Sequence, residues 1–82
     1  MEGLNAFLSD RLSINENICN GRPTIRNMLF TVAQMLELIA AGMNYDEILA
    51  DYPYIEREDI SACLLYASAI TNNKGMLTLE VA

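Results

Sequence analysis

A chain of 82 residues is one domain, and at that length only about 60–65% of the unfolded surface is buried on folding, so a core standing alone is marginal. Yet 52% of the residues are hydrophobic without a single tryptophan, a surplus of Leu, Ile, Met and Ala that predicts a homodimer or an obligate partner covering the excess. The net charge of −6 works against nucleic acid as a general target, and the lack of any histidine removes the commonest general base and metal ligand together.

Met1 to Arg11 opens with a short amphipathic turn in which Leu4, Phe7 and Leu8 share a helical face. Leu12-Ser13-Ile14 alternates as a brief half-buried strand does. Asn15, Asn17, Asn20, Gly21 and Pro23 then concentrate turn chemistry. Pro23-Thr24-Ile25 and Met28-Leu29-Phe30 flank Arg26-Asn27, which predicts a tight hairpin or bend with Asn27 in a left-handed conformation.

From Phe30 onward one helix-start pattern is written three times: an apolar residue, a cap, an acid or amide three residues later, and a second apolar residue. Phe30-Thr31-Val32-Ala33-Gln34-Met35, Met43-Asn44-Tyr45-Asp46-Glu47-Ile48 and Ile55-Glu56-Arg57-Glu58-Asp59-Ile60 are the copies. They predict helices over Val32–Ala41, Tyr45–Asp51 and Arg57–Thr71, the first stopped by Gly42 and the second by the approach of Pro53. The third has the weakest cap, because Glu56 stands where Ser, Thr or Asp is preferred. Three helices joined by very short turns form a helix-turn-helix unit. Met76 to Val81 alternates again, with Leu77, Leu79 and Val81 on one side, and predicts a terminal strand that pairs with Leu12–Ile14 or offers an edge to another chain. The domain thus divides into a strand and hairpin region over 1–30, a trihelical unit over 31–71 and a tail over 72–82, mainly α with short β-strands at both ends.

Catalytic machinery is missing. Ser9, Ser13, Ser61 and Ser68 have no histidine to activate them, the single Lys74 sits in a loop, and no glycine-rich phosphate loop is present. Glu47 and Asp51, spaced i,i+4, are read as solvated side chains and not as a cation site. The expectation is a non-enzyme without cofactor or metal. Cys19 and Cys63 fit no metal or disulfide spacing, and Cys63 lies on an apolar stripe as a reduced, buried thiol. With neither signal peptide nor membrane span, a cytoplasmic location is expected. Charge is unevenly spread: Glu37 to Asp59 holds seven acids against Arg57 alone, whereas Arg11, Arg22 and Arg26 lie in the N-terminal third. Arg11, Arg22, Arg26 and Arg57 are the candidate contacts to DNA phosphates, and Leu77, Leu79 and Val81 the candidate contacts to a protein partner. Tyr45, Tyr52, Tyr54 and Tyr66 are read as the rim of a small core.

Four motifs then follow in order: Asn20-Gly21-Arg22-Pro23-Thr24-Ile25-Arg26; Leu36-Glu37-Leu38-Ile39-Ala40-Ala41-Gly42-Met43; Glu47-Ile48-Leu49-Ala50-Asp51-Tyr52-Pro53; and Glu58-Asp59-Ile60 with Ala62-Cys63-Leu64-Leu65-Tyr66-Ala67. Over about Arg11 to Ser68 the chain resembles the family catalogued as domain of unknown function four-thirty-three. It departs from that pattern at Asn27-Met28-Leu29, where relatives tend to carry Gly and then Arg. The resemblance implies a homeodomain-like trihelical fold and a VapB-type antitoxin encoded beside a PIN-like nuclease toxin, whose dimer binds operator DNA and blocks the toxin. The leading expectation is therefore a non-catalytic antitoxin that neutralises such a nuclease. The alternatives are a helix-turn-helix regulator of its own operon and a dimeric scaffold.

Overall fold

Arg26 and Asn27 both take positive φ, at 46° and 58°. That pair of left-handed residues makes a mirror-image β-turn at the tip of a hairpin loop over 26–29, with Thr24 bridged to Thr31 beyond it. The Met28 N–H closes the turn on the Ile25 carbonyl at 2.8 Å, and the Ile25 N–H donates to the Phe30 carbonyl at 3.0 Å. The bend predicted around Arg26-Asn27 is present, with both residues left-handed and not Asn27 alone.

The computed structural model describes residues 2–72, with side chains from residue 6 onward. Helix α1 spans Glu2–Arg11 and runs directly into strand β1, Leu12–Ser13. Strand β2, Thr24–Ile25, lies antiparallel to β1, with Leu12 opposite Ile25 and Ser13 opposite Thr24. Between them the chain makes a left-handed turn at Cys19–Gly21, all three residues having positive φ. Helices α2 (Val32–Ala40), α3 (Tyr45–Asp51) and α4 (Arg57–Thr71) follow. The described part is mainly helical, with one small antiparallel sheet.

One sequence expectation needs correction here. The first eleven residues, read as a short turn before a strand region, contain a ten-residue helix that packs along α4. Leu4, Phe7 and Leu8 mark only about one turn of it by apolar spacing, and a helix this short depends on that contact for its stability. The strand at Leu12 finds its partner in Thr24–Ile25. The proposed pairing with 76–81 concerns residues outside the described part.

Local chemistry explains the helix boundaries. Asn44 and Glu47 form a complete capping box at the start of α3, each side chain accepting the other's backbone N–H at 2.9 Å. Thr31 caps α2 by accepting the Gln34 N–H at 3.0 Å. At the other end of α2, Gly42 takes φ +98°, the Met43 N–H reaches the Leu38 carbonyl and the Gly42 N–H the Ile39 carbonyl. That bond pattern is a Schellman motif. A Cβ on Gly42 would meet nothing within 4 Å, so any penalty there is conformational. Gly42→Ala is expected to cost about 1–2 kcal/mol from the left-handed backbone alone. For a domain of this size each kcal/mol lowers the melting temperature by roughly 4–8 °C, readable by thermal circular dichroism.

The core gathers Ile25, Phe30, Val32, Met35, Ile48, Ile55, Ile60 and Cys63 from β2 and all three later helices and their approaches. Each predicted apolar pair that brackets a cap lies in or against it: Phe30 with Met35, Met43 with Ile48, Ile55 with Ile60. Tyr52 meets the Phe30 ring edge-on at 5.0 Å, and Tyr45 and Tyr66 also rest against the core, as rim tyrosines do. Tyr54 is exposed.

Candidate functional site

The third cap, which looked weak in the sequence, is the centre of the most connected polar cluster among the described residues. Asp59, at the third position of α4, is fully buried. Its Oδ2 accepts the Glu56 N–H at 2.9 Å, capping the helix from inside where Glu56 itself is a poor cap. The same carboxylate receives the fork of Arg26, Nε on Oδ1 at 3.2 Å and Nη2 on Oδ2 at 2.7 Å. Arg11 Nη1 adds a longer bond to Oδ1 at 3.3 Å and also donates to Glu56 Oε1. Four hydrogen bonds therefore saturate the acceptor sites of an ionised carboxylate.

Electrically the cluster is balanced, two guanidinium groups against the carboxylates of Asp59 and Glu56. Both arginines are held above their ordinary pKa, Arg11 chiefly by its hydrogen bond to Glu56 and Arg26 chiefly by its hydrogen bond to Asp59. Arg26 Nη2 further donates to the Tyr54 carbonyl at 2.8 Å. The end of α1, the hairpin turn, the loop before α4 and the first turn of α4 are thereby fastened at one point. Fastening is what this geometry does: both oxygens of the carboxylate are taken up by hydrogen bonds from three other parts of the chain.

The remaining predicted DNA contacts are placed elsewhere. Arg57 pairs with Asp46 and lies 5.9 Å from the centre of the Tyr45 ring, an exposed arrangement worth little in stability. Arg22 is exposed and turns its Nε back to the Cys19 carbonyl at 3.1 Å. The structure thus unites Arg11 and Arg26, on Asp59, and gives Arg22 and Arg57 separate partners. Leu77, Leu79 and Val81 lie outside the described residues. Leu29 is 82% exposed.

One feature escaped the sequence reading. The inward stripe of α4 buries Ile60 and Cys63, then continues through Tyr66, Ala67 and Ile70, whose exposure rises toward the helix end. There it faces Pro23, Val32, Ala33 and Leu36 across an open depression of about 400 Å³. A second depression of about 250 Å³, lined by Leu8, Leu12 and Ile14, shares Pro23 and Tyr66 with the first. Both are lined mainly by apolar side chains, and their only sequence signal was the excess of apolar residues over what a small core holds.

Comparison with known proteins places this architecture. A family profile described as "Protein of unknown function (DUF433)" matches residues 12–67. The chain belongs to the DUF433 family. The matched stretch takes in both strands, α2, α3 and most of α4, including Arg26 and Asp59, and leaves out α1 and the last turn of α4. The chain is also similar to a crystal structure of a DUF433 member from Anabaena variabilis ATCC 29413, at 29% identity and a TM-score of 0.72. That likeness covers 87% of this chain and 72% of the other. No protein of curated function matches. Within this DUF433 chain no group of three or more His, Cys, Asp or Glu side chains converges as a metal site among the described residues. No described helix is long and apolar enough to cross a membrane.

Proposed function

We propose that this DUF433 chain is a non-catalytic binding module of the cytoplasm, an antitoxin that holds and neutralises a PIN-like nuclease. In this reading α2 to α4 act as a homeodomain-like trihelical platform, and the protein works as a homodimer. The observation that carries it is the disposition of charge. Glu37, Asp46, Glu47, Asp51 and Glu58 are all exposed, while Arg11 and Arg26 direct guanidinium groups inward to Asp59. The outward charge of the helical body stays acidic, these carboxylates standing against Arg57 alone, and the balanced cluster at Asp59 does not offset them. A nuclease that grips RNA presents cations, and such a surface attracts it and excludes other acidic proteins.

The second reading, a regulator that binds its own operator, has less to draw on. Phosphate binding needs guanidinium or ammonium groups directed at solvent, and every cation withdrawn from a phosphate lowers the slope of the salt dependence by about one. Arg11 and Arg26 are engaged by Asp59, which leaves Arg22 as the cation of the N-terminal third with no carboxylate partner among the described residues.

The test is co-expression with the nuclease encoded next to this chain. The expected result is a stable complex with suppressed ribonuclease activity, and at least a tenfold weaker complex after Asp46, Glu47 and Asp51 are all replaced by lysine. Purification of the two proteins apart, with the nuclease fully active, overturns the reading.

A further inference from the structure

Asn20 is the only one of the chain's eight asparagines that a glycine follows. That pairing is the sequence most open to loss of the side-chain amide, because glycine has no Cβ to shield its nitrogen. Asn20 is exposed, so water and hydroxide reach it. The turn around it is left-handed throughout, with φ 52° at Cys19, 58° at Asn20 and 80° at Gly21. Two features of that turn oppose the reaction. The Gly21 N–H donates to the Ile18 carbonyl at 3.1 Å, so its proton is engaged. Ring closure also needs the Gly21 nitrogen eclipsed with the Asn20 Cβ about the Cα–C bond, and at ψ 34° it stands well away from eclipse.

We propose that Asn20-Gly21 is a deamidation site latched by this left-handed turn, so that modification of position 20 records how often the loop opens. In the opened loop hydroxide takes the Gly21 amide proton, and the nitrogen attacks Asn20 Cγ. The N–Cγ bond forms, the Cγ–Nδ2 bond breaks, and Nδ2 leaves as ammonia with a proton drawn from water. Water then adds to one carbonyl of the cyclic imide and breaks its bond to the nitrogen, which regains a proton. Opening at the side-chain carbonyl leaves an aspartate at position 20, and opening at the main-chain carbonyl leaves an isoaspartate. Either product sets a carboxylate two residues before Arg22, which has no carboxylate partner among the described residues. The isoaspartate also lengthens the main chain by one atom within the loop that returns the chain from β1 to β2, so the original turn no longer fits. This chemistry is independent of the nuclease reading, because it concerns the isolated chain.

The experiment is peptide mapping by mass spectrometry on the full-length protein, held at mildly alkaline pH with and without denaturing urea. In urea, position 20 is expected to gain the mass of an acid ahead of every other asparagine, as a mixture of aspartate and isoaspartate. Without urea the same site is expected to react about tenfold or more slowly, because only the opened loop reaches the reactive geometry. Gly21→Ala, compared in urea where folding plays no part, is expected to slow the reaction several-fold. Equal rates with and without urea, another asparagine modified first in urea, or a rate indifferent to Gly21→Ala would each overturn the proposal.

Discussion

Replacing Asp59 by alanine is expected to lower the unfolding free energy by about 3–5 kcal/mol, the range for breaking a buried ion pair from one side. The substitution removes four accepted hydrogen bonds at once and leaves Arg11 and Arg26 facing each other without the carboxylate between them. It also strips the α4 N-terminus of the acceptor for the Glu56 N–H, a loss worth about 1 kcal/mol by itself. Against this, the two arginine side chains keep 24% and 34% exposure and recover some water when released. The expected value therefore falls toward the lower end of the range. Asp59→Asn keeps the shape and one acceptor oxygen, so its cost is smaller than that of alanine. Urea denaturation with an unchanged m-value is the measurement. A double-mutant cycle of Asp59→Ala with Arg26→Ala isolates the pair, and a coupling of about 0.5–3 kcal/mol is expected for groups in direct contact. If Asp59→Ala unfolds within about 1 kcal/mol of wild type, the cluster is not a fastening point.

The contrast between Asp59 and the helix caps shows what this sequence discloses and what it keeps back. Asn44, Glu47, Gly42 and Pro53 act on backbone groups within a few residues of themselves, so the bounds Tyr45–Asp51 and Arg57–Thr71 were legible from spacing alone. The left-handed turn at Asn27 was legible for the same reason. Arg11 and Arg26 lie 48 and 33 positions from Asp59, and no local pattern ties a cation to an acid at that range. They consequently read as surface cations available to phosphate, although they are held within the fold. Strand β1 is two residues long, too short to specify its partner by alternation, and its pairing with Thr24–Ile25 depends on the loop returning the chain. The larger depression is less legible still. Val32, Leu36, Tyr66 and Ile70 each belong to a correctly predicted helix, but a depression between two helices is a property of how they dock, which no local pattern records.

Alkaline pH is expected to produce the second large effect, through Cys63. The side chain is fully buried, and its thiol is pushed up to about 12, first by burial and then by the negative Asp59 one turn earlier on α4. In an unfolded chain the same thiol titrates near 9.0. Below pH 9 both states hold the proton and Cys63 adds no pH dependence. Between pH 9 and pH 12 the unfolded chain releases it while the folded one retains it, so the unfolded state binds fewer protons. Stability then falls as pH rises, by up to about 1.4 kcal/mol per pH unit. Above 12 both states are ionised and the slope vanishes. Urea midpoints for wild type and Cys63→Ala at pH 7, 9 and 10.5 check this. Alanine leaves a small cavity and lowers stability at neutral pH, but the variant is expected to lose less than wild type between pH 9 and 10.5, by about 2 kcal/mol. The four tyrosines and Lys74 are common to both proteins and cancel in the difference. The same protonation makes the thiol inert: at pH 8 a thiol reagent is expected to modify the half-buried Cys19 quickly and Cys63 only as the fold opens. Parallel alkaline curves for the two proteins, or two thiols reacting at one rate, would show that Cys63 meets solvent in the native state and that the seam between α4 and the rest of the core is looser than its packing indicates.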